Sequence, residues 1–591
     1  MIFRTLAMVV LLTLFPFPPA FADSDAAINL AGIWRATRDL GPALRGPVTI
    51  NFKNEIWHAN IGGSSAVGQM KENHVLFDFG ADSGQLRVET KNTLLEAKAF
   101  WIQPPGAWLG RPFASPVSMI PTSAEAWEGT LRPYNDTVTF YLIVSREKDG
   151  TFSAVLRNPE FNLGVFSRVR NLVPGPGNTI TLEGDYRWSS GKIQTLMSGT
   201  YDSVQRAMVL QNDFLQPAGV YLFTRISANS DFYPKQAANA RYVYRKPPET
   251  DDGWPVAAAA DVGMDEDQLT DFVQSLIDRP IDTIDAPDIH AVLVARRGKL
   301  VLEEYFHGYQ RNQTHDTRSA SKTAAASLAG AAEQAGLKLH PSTRVYDHMF
   351  GQNSLPANLD PRARTMTLEH LMTMSSGLAC NDSDSSSPGN EDTMQSQTAE
   401  PDWFKYTLSL PMAHTPGETP AYCSAGSNLI GGMVAKTSNR WLPSMFDTLL
   451  AKPLQLQNYH MNLMPTGEAY FGGGIRWLPR DFLKLGQLHL NGGTWNGRRI
   501  LSKEWTKRAT THLYDLREQG YGYLWWIRSY PYNGKQVKAY FAGGNGGQYA
   551  LVVPELELAI AFFGGNYNHP ALYKARDDYV PNGILPAVIS K

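Results

Sequence analysis

The chain has 591 residues, 43% of them apolar and 19% charged, with 54 Lys plus Arg against 56 Asp plus Glu. That length exceeds one average core and predicts two or three units. The near-balance of charge, with no long basic run, argues against nucleic acid and anionic membrane surfaces as partners.

Residues 1–22 read as a cleavable secretory peptide. Arg4 heads the apolar run "LAMVVLLTLF", and "AFA" precedes Asp23, which places the cut after Ala22. The run is too short to span a bilayer well, so no stable membrane insertion is expected after cleavage, and the mature chain is expected in the periplasm or outside the cell. Residues 23–245 form a β-rich unit: "VTINF", "HVLFDF", "TVTFYLIV" and "TITLEGDYRW" alternate or are β-branched, and Gly, Asn, Asp and Pro break them. Tryptophan beside small or polar residues recurs in "GIWRA", "IWHANIGG" and "AWEGTLRP". The expectation is an all-β barrel or sandwich with a loose internal duplication. A Pro-rich, charged linker follows at 246–260.

From 261 to 591 the period changes. "DEDQLTDFVQSLID" is an amphipathic helix starting near Asp265, and "IHAVLVARRGKLVLEEYFHG" is a hairpin about Arg296–Gly298. An alanine-rich helix ends near Gly336, helices with long loops follow, and the strands "VKAYFAGG", "GQYALVVP" and "LELAIAFFGG" come last. Strands first and last imply one sheet closed by both ends of the unit, with a helical insertion. Cys380 and Cys423 are the only cysteines. In an exported protein such a pair predicts a disulfide, worth about 4 kcal/mol for a loop of this length in the chain-entropy model.

Ser-x-x-Lys occurs three times, at Ser145–Lys148, Ser189–Lys192 and Ser319–Lys322. The first two fall at strand ends or turns, where residues three apart diverge. The third opens the alanine-rich helix, where residues three apart are neighbours. The helix N-terminus favours a developing oxyanion, and a lysine with its pKa lowered by burial can activate the serine. Ser321 has Ala324 three residues on and is not a nucleophile candidate. Tyr422, just before a helix that Ser424 could cap, is a candidate general base. The cluster Gly543–Gly547 allows close backbone approach to a ligand. His290, His340, His370 and His414 lack metal-ligand spacing, and no metal or organic cofactor is expected.

These elements in this order resemble the serine β-lactamase and penicillin-binding-protein superfamily, in the class C-like branch of esterases, D-amino-peptidases and 6-aminohexanoate-dimer hydrolases. "TLEHLMTMSSGL", "SPGNED", "GGGIRWLPRDFLKLGQL" and "YGYLWW" support the resemblance, which covers about residues 255–591. It implies an α+β β-lactamase-like fold, an antiparallel sheet flanked by helices, beneath the N-terminal β unit. It also implies that Ser319 is the acylating serine, Lys322 its partner, and Tyr422–Cys423–Ser424 the counterpart of the family's Tyr-x-Asn element. The Lys/His-x-Gly element on the far strand corresponds to Asn545–Gly546–Gly547, where neutral Asn545 adds no charge. Oxyanion donors are then the N–H groups of Ser319 and Gln548. The implied function is hydrolysis of small esters or amides through an acyl-enzyme. The alternatives are a peptidoglycan-peptide hydrolase and an inactive ligand-binding protein; the sequence leaves the oligomeric state open.

Overall fold

The structure is a computed structural model that describes residues 29–589 apart from 92–93, 107–109, 124, 188, 214, 228 and 236–240. The leader expected at 1–22 lies outside the described residues. Strand Gly32–Asp39 pairs antiparallel with Thr137–Arg146. Successive neighbours then lead to Gly219–Arg225, which returns to Trp34 and Arg35 and closes a barrel. Between the first two of these strands the chain inserts a second set, Gly46–Lys53 through Ala126–Leu131. Here Ala126–Leu131 pairs with both Gly46–Lys53 and Phe113–Ser123, so this set also forms a ring. The β-rich unit is therefore two rings, one set into a connection of the other.

Alternation explains the strands. In Thr179–Tyr186, Ile180 and Leu182 are fully buried while Thr179, Thr181 and Glu183 are not. Trp34, Phe140, Tyr221 and Phe223 fill the first ring, and Val48, Phe77, Trp101 and Trp127 the second. Ser145 and Lys148 are exposed at a strand end, and Ser189 spends its hydroxyl on Tyr186 O (2.9 Å) in a turn.

The remainder is built on an antiparallel sheet ordered Lys299–Tyr305, Ile289–Arg296, Leu558–Gly564, Gln548–Val553, Lys535–Gly544, Trp526–Tyr532, Gln519–Tyr521 and Tyr514–Leu516. The first hairpin thus lies beside the last strand. Helices Lys322–Gln334, Ser424–Ser438 and Pro479–Leu490 share a core with one face. Glu266–Ile277, capped by the Asp265 carboxylate on two backbone N–H groups, shares a core with the other face and with Ala575–Ile584.

One joint decides where the rings sit relative to the chemistry. Phe113 and Ala114 pair with Asn462 and Met461, and the sheet continues through Ile475–Trp477 to His315–Asp316. The second ring is hydrogen-bonded, strand by strand, to the segment just ahead of Ser319.

Candidate active site

The alanine-rich helix starts at Lys322, after a tight turn over Arg318–Ser321. Arg318 has φ 47°, in the left-handed region, which costs a side-chain-bearing residue about 1–2 kcal/mol. Asp316 holds it there: one carboxylate oxygen accepts from the Arg318 N–H (2.9 Å), the other lies 2.8 Å from Nε. This turn presents Ser319 to the cleft. Ser321 is fully buried, bonded to Thr317 Oγ1 (2.6 Å) and Ile475 O, and belongs to the scaffold.

Lys322 is 1% exposed, and its Nζ donates to Ser319 Oγ (3.0 Å) and to Gly472 O. The same ammonium lies 4.9 Å from the centre of the Tyr422 ring. Burial pushes the lysine down, but Tyr422, Glu391 and Asp382 outweigh it and hold the ammonium above its ordinary value. The expectation of a lysine made basic by burial is thus reversed: Lys322 is a cation with directed donors.

Tyr422 is half-buried, stacked on Trp526 (ring centres 6.0 Å apart), with the Arg517 guanidinium 4.5 Å from its ring centre. The residue after it fixes the backbone. Cys423 forms a disulfide with Cys380, and its Sγ accepts from the Gly426 N–H (3.1 Å), so Cys423 caps helix Ser424–Ser438. Ser424, expected both as that cap and as a substrate contact, is neither. It is fully buried, with Oγ donating to Asp382 (2.6 Å) and Glu391 (3.1 Å). Its role is to orient the two carboxylates that keep Lys322 charged.

The strand element is also displaced from expectation. The cleft is lined on this side by Phe541, Gly543, Gly544 and Asn545. A Cβ on Gly544 would sit 2.2 Å from Thr317 O and 3.1 Å from Ala320 N, so only glycine lets the strand approach the Ser319 turn this closely. Gln548 is fully buried one strand further in, its carboxamide donating to Gly564 O (2.6 Å). Gly546 and Gly547, at φ 98° and 94°, form the buried connection between the strands. Asn545 does border the cleft, but its carboxamide is held by Asn568, donating to Oδ1 (2.9 Å) and accepting from N–H (2.8 Å). Gly544 lies against the Ser319 turn and borders the cleft, while Gln548, its register partner on the next strand, does not line it.

Ser319 borders two lobes. One, of about 440 Å³, lies towards Tyr422, Arg517, Trp526 and Arg576. The other, of about 400 Å³, is bounded by Arg111, Asp316, Arg318, Glu391, Tyr470 and Arg476. Tyr470 donates to Glu391 (2.5 Å), and the Arg111 guanidinium lies over Trp403, 4.5 Å from its ring centre. Arg111 comes from the second ring, and its place in the cleft had no signal in the sequence. Glu391 falls in "SPGNED", a stretch singled out for resemblance but not for a residue.

A beta-lactamase family model matches residues 285–580. The chain is 23% identical over 225 residues to the 6-aminohexanoate-dimer hydrolase of Paenarthrobacter ureafaciens, a match covering 37% of this chain and 56% of that protein, so it spans little more than half of that relative's length. Among solved structures, a family VIII carboxylesterase aligns at 14% identity with a TM-score of 0.40, over 52% of this chain and 92% of the other. A penicillin-binding-protein homologue from Caulobacter crescentus aligns at 14% identity with a TM-score of 0.40, over 52% of this chain and 96% of the other. With half of its residues matched by the family model, the chain belongs to the beta-lactamase family and is a serine hydrolase.

Proposed function

We propose that the protein is an exported hydrolase of small esters or amides that carries its acyl group on Ser319. The observation that carries this reading is the 3.0 Å contact between Ser319 Oγ and the buried Lys322 ammonium at the junction of two cleft lobes. An N–H donor on a lone pair of Oγ leaves the hydroxyl proton free to point elsewhere, and in this reading Tyr422, as a phenolate paired with the Lys322 ammonium, takes that proton. Oγ then bonds to the substrate carbonyl carbon. The oxyanion that forms is held by the N–H groups of Ser319 and Gly544, beside the Lys322 charge. Losing one such donor typically costs about 10²–10³ in turnover.

Collapse of the oxyanion breaks the ester C–O or amide C–N bond. The proton held by Tyr422 passes to the departing oxygen or nitrogen, and water repeats the sequence on the acyl-serine. Lys322 stays protonated throughout, so proton transfer falls to Tyr422 and charge stabilisation to the lysine. The test is labelling by an active-site acylating probe, comparing the wild type with Ser319→Ala. The wild type should label at residue 319 and the variant should not; equal labelling of both, away from that residue, sinks the assignment.

A further inference from the structure

A cavity of about 480 Å³ lies between the rings and the catalytic unit. Its walls include Arg45, Arg132 and Tyr134 from the ring side, and Tyr309, Tyr567 and Arg476 from the other. It shares Asp316 and Arg476 with the lobe that holds Ser319, so the two spaces meet at these side chains.

Arg476 is the unexplained group. It is 7% exposed, yet its Nε and Nη2 have no hydrogen-bond partner. Its guanidinium lies over the Tyr134 ring, 4.0 Å from the centre, and its nearest carboxylate, Asp316, is 3.9 Å away and already engaged by Arg318. Buried polar groups are almost always bonded, and an orphaned charged donor is costly. Burial works against the charge, but Tyr134, Asp316, Tyr567 and Asp136 keep it in place. Arg45 and Arg132 add positive charge to the walls against Asp316 and Glu160, while burial holds His315 and His460 neutral, each at about 3.

We propose that this cavity is a carboxylate-binding subsite for the far end of the substrate, with Arg476 as the group that receives it. A carboxylate in the cavity would meet the Arg476 guanidinium with Arg45 and Arg132 beside it. The substrates are then esters or amides whose scissile carbonyl sits at Ser319 and whose carboxylate tail extends past Arg476. The rings close the wall of that subsite, which gives the N-terminal unit a part in selecting substrate. The proposal rests on Ser319 being the acylating residue, and its test separates the two.

The probes are para-nitrophenyl hydrogen adipate, with a carboxylate tail, and its neutral methyl ester. Wild type should favour the charged ester in kcat/KM by at least about tenfold, and Arg476→Gln should remove that preference through KM. Arg132→Glu, on an exposed side chain at the same cavity, should lower it as well and covers the case in which the buried variant fails to fold. Adipate binding to Ser319→Ala, followed by calorimetry, reads the subsite without chemistry and should weaken at least about tenfold with Arg476→Gln. An equal preference for the two esters in wild type, or adipate binding that ignores both arginine substitutions, overturns the subsite. Arginine-dependent adipate binding in a protein that hydrolyses neither ester supports it and counts against Ser319.

Discussion

In the first ring, strand Ala207–Asn212 buries Met208 and Leu210 and leaves Val209 and Gln211 exposed, whereas Ile289–Arg296 in the catalytic sheet is buried at every position. Buried charge is paired in both: the rings hold Glu89 against Arg87 (2.9 Å) and Asp185 against Arg170 (2.8 Å). The catalytic unit buries Arg480 between Glu303 (2.7 Å) and Asp252 (3.1 Å), Lys484 against Asp481 (2.9 Å), and Lys322 beside Ser319. A ring with water outside can be specified by alternation alone. A sheet covered on both faces must pair every charge it buries. That requirement also lets it hold a lysine cation fixed against a serine.

The largest test of this contrast removes the buried cation. Lys322→Met keeps the volume of the side chain and should lower turnover of a chromogenic ester by about 10³-fold. Thermal unfolding should show the rings intact; an unchanged kcat would mean that the lysine is only part of the packing. Next is the disulfide. Replacing both cysteines, Cys380→Ala with Cys423→Ala, should cost about 4 kcal/mol in denaturant titrations. Turnover should fall too, because the helix cap beside Tyr422 goes with it; full activity at an unchanged midpoint would contradict the cap. In the rings, Leu182→Ala should cost about 3 kcal/mol by cavity formation. Here kcat should hold at temperatures where the variant is folded, since Leu182 sits within the ring core. A parallel loss of kcat would show that ring packing reaches the cleft.

What could be read from the sequence follows the same division. Alternation made the ring strands visible, but not that Gly32–Asp39 pairs with Thr137–Arg146 across an inserted ring. No local pattern encodes a partner that distant. In the catalytic unit, the Ser319–Lys322 spacing could be read because a helix start makes i and i+3 neighbours. The strand element was misplaced by a few residues because "GGNGG" has no side-chain alternation to fix register. Only the close approach of Gly544 to Thr317 O and Ala320 N distinguishes one glycine from the next. Ser424 was misread because its hydroxyl is bonded to Asp382 and Glu391, carboxylates more than thirty residues away in sequence that no local pattern ties to it.

The interface between the halves offers the smallest and most selective test. Asp288, on the catalytic side, faces His290 (3.2 Å), His307 (3.7 Å) and Arg157 of the first ring (3.5 Å). Burial alone would raise its carboxyl, but these neighbours outweigh it and hold it well below the usual range. A carboxylate depressed on folding stabilises the protein above its unfolded value of 3.8, and the contribution is lost as pH falls below that. Buried neutral His315, His460 and His489 begin the acid loss earlier, from about 6.5 downward, because the unfolded chain takes up their protons first. Asp288 also supports the charge of His307, so Asp288→Asn shifts the limb between pH 6.5 and 4 as well, but the two proteins should part most steeply below about 4. Below that, wild type should lose up to about 1.4 kcal/mol per pH unit more than the variant. Arg157 keeps its bonds to Thr283 O (2.5 Å) and Ala286 O (3.2 Å) in the variant, so the ring stays docked while the slope changes. Identical acid limbs in the two proteins would mean that Asp288 does not couple the rings to the catalytic unit.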